Sequence, residues 1–198
     1  MEGTNPVNKK LAAALSGGAV LVLALTGCGG DDSSDKLNSW AKQVCEGVQP
    51  QAKKIEAANA AIQKQTSDSS QPADVQKTDA QAFQDMSDAY KAMGTAVRKA
   101  GAPDVEDGEK KQKAAVAELN QLSTSYASLK KQVEELDTED QAKFADGLKD
   151  IATELNKLSE SGNDALKALE EGDVGQAMAQ QASCKSASAS ASVSATTS

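Results

Sequence analysis

The sequence predicts an all-α protein, an antiparallel up-down-up-down four-helix bundle closed by a disulfide between Cys45 and Cys184. Three observations predict it. Apolar residues recur at alternating spacings of three and four through four long stretches, the pattern of helices that share one seam. Short turn signals separate those stretches, so consecutive helices run antiparallel. An even number of such rods brings the chain back to the end where it began, and Cys45 and Cys184 lie near the two ends of the helical region.

Each helix has its own signals. Asp35 is placed to cap the first, which carries Leu37, Trp40, Val44 and Val48 on one face. Gly47 and Pro50 interrupt that face. Its spacing loses phase there and resumes at Ile55, Ala58 and Ile62, predicting a kink or break near Gly47–Pro50. Residues 67–74 (SDSSQPAD) read as a loop. Thr78 and Gln81 form a capping box for a second helix with Phe83, Met86, Tyr90, Met93, Val97 and Ala100 on its seam. Gly101 and Pro103 end it and Asp104 caps the third, whose seam is Ala115, Leu119, Leu122, Tyr126, Leu129, Val133 and Leu136.

Asp137 then turns the chain, and Thr138 with Gln141 makes another capping box. The fourth seam runs Phe144, Leu148, Ile151, Leu155, Leu158, Gly162, Ala165 and Leu169 without loss of register, favouring one long helix, although Gly162 is equally able to end it. Asp173 starts a short last turn with Val174 and Met178. The serine- and alanine-rich tail from Lys185 has nothing to bury and is expected to be disordered.

The N-terminus carries a separate message. Lys9 and Lys10 precede an apolar run, residues 11–25, of about 15 residues, short of the ~20 that a spanning helix needs. Leu25-Thr26-Gly27-Cys28 follows and resembles a bacterial lipobox, in which a peptidase cuts just before a cysteine bearing a diacylglyceryl thioether. On that reading residues 1–27 are a signal peptide, 28–36 a tether of roughly 15 Å reach, 37–184 the bundle and 185–198 the tail. The protein is then exported and held by lipid on the extracytoplasmic face of the cell membrane. An uncleaved transmembrane anchor and an ordinary secretory signal are the competing readings. The bundle places the tether and the disulfide at the membrane-proximal end. The 67–74 loop and the turn at 136–138 then lie about 45 Å away, for helices of about 30 residues.

Charge and composition narrow the function. The chain holds 29 acidic and 21 basic residues, for a net charge of −8. Removal of residues 1–27 takes Glu2, Lys9 and Lys10 and leaves it one unit more negative. Such a surface repels phosphate backbones, so nucleic acid is not an expected partner. The roughly 170 remaining residues suffice for one domain. Aromatic residues are few, so its core has to be aliphatic and alanine-rich, with helices close together. With Cys28 taken by lipid, Cys45 and Cys184 remain as an even pair in an oxidising compartment. The alternatives are two buried free thiols or a metal site, and the latter is poorly served by a chain without histidine.

No catalytic pattern emerges. The absence of histidine removes the usual nucleophilic triads and the Glu-x-x-His di-iron motif. Ser39-Trp40-Ala41-Lys42 matches Ser-x-x-Lys, but beside a core seam. Met86 and Met93 suit core filling better than soft-metal ligation. Asp104-Val105-Glu106-Asp107-Gly108 starts like a calcium loop, with its glycine one position early. No cofactor is implied.

One charged region invites a binding role. Asp68, Asp74, Glu134, Glu135, Asp137, Glu139 and Asp140 collect at the membrane-distal tip, and Glu134 and Glu135 oppose the dipole of the third helix. A site for a divalent cation or a basic partner is one reading; a solvated acidic turn, with Lys130 and Lys131 offsetting part of the charge, is the other.

The lipobox, the four-helix body and several local sequences together resemble the small secreted lipoproteins of actinobacteria. Those sequences are Val44-Cys45, Pro50, Ile55, Lys77-Thr78-Asp79, Phe83-Gln84-Asp85, Gly101-Ala102-Pro103, Asp137-Thr138, residues 140–145 (DQAKFA) and Cys184. The resemblance covers most of the chain after Cys28. It implies location and fold and lends no activity and no site residues. The expected function is a non-catalytic interaction or structural module, joined to the membrane through Cys28 and facing an envelope or extracellular protein. The alternative is a lipoprotein that binds a small ligand or a divalent cation.

Overall fold

The structure, a computed structural model, describes residues 31–65, 70–161 and 164–185. Those residues are all-helical: α1 (Asp31–Gln65), α2 (Pro72–Ala100), α3 (Gly108–Glu134), α4 (Gln141–Ser161), α5 (Asp164–Glu170) and α6 (Gly172–Gln180), followed by one more turn at 182–185. The Cys45–Cys184 disulfide is formed.

Helix α2 is the organising element, because it presents two different small-residue seams. Ala82, Ala89 and Ala96, seven apart, face α1, where Gly47 lies against Ala96. Ala80, Ser87 and Gly94, again seven apart, face α3; Gly94 lies against Leu119 and Asn120. Small side chains at heptad spacing let the backbones approach closely. Between these seams point the large residues Phe83, Met86, Met93 and Val97, all buried. Both pairings are antiparallel. Trp40 meets Gly101 while Gly47 meets Ala96, and Gln76 reaches Val133 while Val97 reaches Gln112.

The core falls into two clusters along this axis. At the disulfide end, Leu37, Trp40 and Val44 of α1 pack with Val97, Leu119, Leu169 and Val174 from the other helices. At the opposite end, Ala58, Phe83, Met86, Leu129, Val133 and Ile151 form the second cluster.

Several predicted helix ends move. Helix α1 already includes Asp31, so Asp35 is an internal residue and the predicted 28–36 tether is helical over 31–36. Asp31, Asp32 and Asp35 suit the positive end of the helix dipole, which lets the helix extend toward the N-terminus. Nor does α1 break near Gly47–Pro50: it runs to Gln65 with Pro50 inside. The proline removes one N–H from the ladder, but contacts on both sides of it hold α1 against α2. Gly47 is there for proximity, since a methyl at 47 would stand 2.6 Å from Ala96 Cβ.

Helix α2 starts at Pro72, with Asp74 and Val75 donating to the Gln71 carbonyl. A proline in the first turn pre-sets the helix. Thr78 and Gln81 are therefore internal rather than a capping box, and the Gln81 amide donates to Asp85 instead, at 2.9 Å. Asp104 lies in the loop before α3, and the residue flanking the helix is Asp107, at φ 58°. Helix α4 is capped by Asp140 rather than Thr138: its Oδ1 accepts from the N–H groups of Ala142 and Lys143 at 3.1 and 3.2 Å.

The fourth predicted seam spans α4 and α5. Helices α4 and α5 flank residues 162 and 163, which lie outside the described residues, as does the question of continuity at Gly162. Helix α5 stops at Glu170, and Gly172, at φ 65°, redirects the chain into α6. Val174 and Met178 are buried there, as the short last segment required.

Candidate functional site

The two ends of the molecule hold the residues that the sequence singled out. At the first, Val44 and Cys45 face inward on α1, and the α6 segment returns to them. The Cα atoms of Cys45 and Cys184 stand 5.0 Å apart. Trp40 closes this end, donating its indole N–H to the Gly101 carbonyl at 2.8 Å. Leu25, Thr26, Gly27 and Cys28 lie outside the described residues.

At the second, the acidic residues serve helix ends. Glu134 pairs with Lys130 at 2.7 Å, the i,i+4 contact expected from the sequence. Asp137 accepts from the Glu139 N–H at 3.0 Å. Asp140 caps α4 and pairs with Lys143 at 3.1 Å. The Lys143 backbone N–H above all, then its ammonium, hold the Asp140 carboxyl below its ordinary value. Glu135 and Glu139 are exposed, Asp74 lies in the first turn of α2, and Asp68 is outside the described residues. Among the described residues, no group of three or more acidic or cysteine side chains is arranged to hold a metal ion.

The remaining chemical candidates separate. Ser39 and Lys42 are exposed on α1, and Lys42 lies 3.9 Å from Glu46. Met86 and Met93 are buried in different core clusters. Among the described residues the surface carries open grooves. One of about 660 Å³ runs between α1 and α2 over Ala57, Ala58, Ala61 and Ala82.

Sequence reasoning missed the polar groups inside the bundle. Ser87 donates to the Ser123 carbonyl at 2.8 Å across the α2–α3 seam. Gln76 reaches past the end of α3, and its side-chain amide donates to the carbonyls of Val133, Glu134 and Leu136 at 3.0, 3.2 and 2.9 Å, where the end of a helix leaves carbonyls short of partners. Tyr90 and Tyr126 stack with ring centroids 5.4 Å apart, and burial raises both hydroxyl pKa values. Asp79 is the outlier. It is only 7 % exposed, its Oδ1 has no hydrogen-bond partner, and burial lifts its carboxyl from 3.8 to about 6. The signal was present: Asp79 stands four residues before Phe83 and seven before Met86, at a core position of the heptad. Starting α2 at Thr78 hid it, because capping residues are expected to be polar.

No protein-family model matches the chain, no curated protein does, and no solved structure does. Among the described residues no helix is long and apolar enough to cross a membrane.

Proposed function

We propose that this chain is a non-catalytic lipoprotein of the bacterial envelope, of the kind that the small secreted actinobacterial lipoproteins represent. It is cut after Gly27, acylated on Cys28 and held on the extracytoplasmic face of the membrane. Cysteine pairing carries the reading. Of three cysteines, Cys45 and Cys184 are bonded to each other, which leaves Cys28, the one in the Leu25-Thr26-Gly27-Cys28 motif, as the odd residue. A structural disulfide also suits an exported protein. Asp31 already belongs to α1, so an acyl group on Cys28 would hold the disulfide end close to the lipid.

The body then acts as an up-down-up-down bundle in which α4 and α5 together make the fourth rod, displaying its other end to a protein of the envelope or surroundings. The carrier alternative has less behind it. The grooves are open, and the carboxylates of Asp137 and Asp140 are engaged by backbone N–H groups and Lys143.

Intact-mass measurement of the protein extracted from membranes tests the anchor. The expected mass is that of a chain beginning at Cys28 plus a diacylglyceryl group, absent from a Cys28→Ala variant. An unmodified Cys28 in the membrane-extracted protein would overturn the reading.

A further inference from the structure

The end opposite the disulfide contains a buried acid that neither the fold nor the anchor requires. Asp79 lies on the inward face of α2, at the end of the bundle where Ala58, Phe83, Leu129, Val133 and Ile151 are buried. Its Oδ1 meets no donor. A carboxylate with one oxygen taken out of water and left without a donor is costly to ionise, and it relieves that cost by keeping a proton. The ionisable groups on the surrounding elements do not help. Lys64 on α1, Lys77 on α2 and Glu154 and Lys157 on α4 are exposed. On α3, Lys130 is committed to Glu134, and Tyr126 is stacked on Tyr90. Burial alone accounts for the raised Asp79 carboxyl.

Helix α4, which completes this cluster, is lightly seated. Among its described side chains only Phe144 and Ile151 are buried, whereas α2 buries ten residues. Leu148, Leu155 and Leu158 are only half-buried at the margin of the cluster. An element with few buried contacts opens locally at lower free energy than the rest of a fold.

We propose that Asp79 makes the seating of α4 depend on protons. With the carboxyl protonated, the apolar cluster closes and α4 stays down. With it ionised, water enters the cluster, α4 lifts from α3, and Leu148, Leu155 and Leu158 become accessible. The sign follows from linkage. A carboxyl whose affinity for protons is higher in the closed state favours closure below its ordinary value of 3.8, and that preference is lost as pH rises through about 6.

Hydrogen exchange on the full chain, followed by mass spectrometry and corrected for intrinsic rates, tests this. Between pH 4.5 and 7.5 the protection of 141–161 is expected to fall about 10-fold while that of α2 and α3 holds. Asp79→Asn and Asp79→Leu should each abolish the change, and the leucine variant keeps a readable outcome if a buried amide prevents folding. Unchanged protection of α4 across that range would overturn the proposal. So would a fall shared equally by all helices, or a pH response that survives in both variants.

Discussion

The two ends of the bundle share α1, α2 and α3 but are closed by different means. At the disulfide end a covalent bond, a satisfied indole N–H and the α5–α6 return surround Val44, Val97 and Leu119. At the other end Gln76 donates to carbonyls at the end of α3, yet Asp79 Oδ1 is buried without a donor and three leucines of α4 are only half-buried. The contrast teaches that seam length alone does not decide how firmly a helix is held. Helices α1, α2 and α3 approach through alanine, serine and glycine, which bring backbones together; α4 docks through bulky side chains, of which Phe144 and Ile151 are buried and Leu148, Leu155 and Leu158 only half-buried.

The largest expected difference between the ends comes from the disulfide. Its partners are 139 residues apart, and Cys45→Ser with Cys184→Ser should lower stability by up to about 5 kcal/mol in the chain-entropy model. Denaturant unfolding measures the loss, and exchange should place the loosening in α6 and the start of α1. Equal loosening of α4 would erase the distinction between the ends.

Next come paired leucine truncations. Leu119→Ala, in the closed cluster, should cost about 3 kcal/mol, and Leu155→Ala, at the α4 margin, about 1 kcal/mol. Similar losses in thermal unfolding would mean that α4 is as firmly packed as α3.

Two glycines sharpen the same contrast. Gly47→Ala forces a methyl to 2.6 Å from Ala96 Cβ, a fixed atom in a tight seam, and should cost about 1–3 kcal/mol through overpacking. Gly147→Ala meets only the far end of the Leu136 side chain. That group can swing away, and improved helix propensity should leave the variant unchanged or stabilised by under about 1 kcal/mol.

The smallest effect concerns the exposed cap of α4. Asp140→Ala should fray the first turn of α4 and leave the disulfide end untouched, as amide chemical shifts would show. Because the Asp140 carboxyl is held below its ordinary value, its contribution is present above that value and lost as pH falls through the lowered one, opposite in sign to Asp79.

Much of the fold was legible because periodicity is a local property. The spacing of Phe83, Met86, Met93 and Val97 defines one helix face whatever packs on it, and those residues are buried. Helix ends were less legible, since a capping box is a short pattern that also occurs inside helices, as Thr78 and Gln81 do. The role of Gly47 was hidden for a related reason. In sequence a glycine near a proline reads as a breaker, and only the nearness of Ala96 shows that it admits a neighbouring backbone.

The sequence by itself determined that the described residues are helical, placed Phe83, Met86, Leu119 and Val133 on seams that are buried, and pointed to the pairing of Cys45 with Cys184. Periodicity, turn chemistry and cysteine parity are all carried along the chain. Tertiary structure decided that α1 continues through Pro50, that α4 is lightly held, and that Asp79 Oδ1 is buried without a donor. Each of those depends on what a different helix places within a few ångströms, and no local pattern encodes that distance.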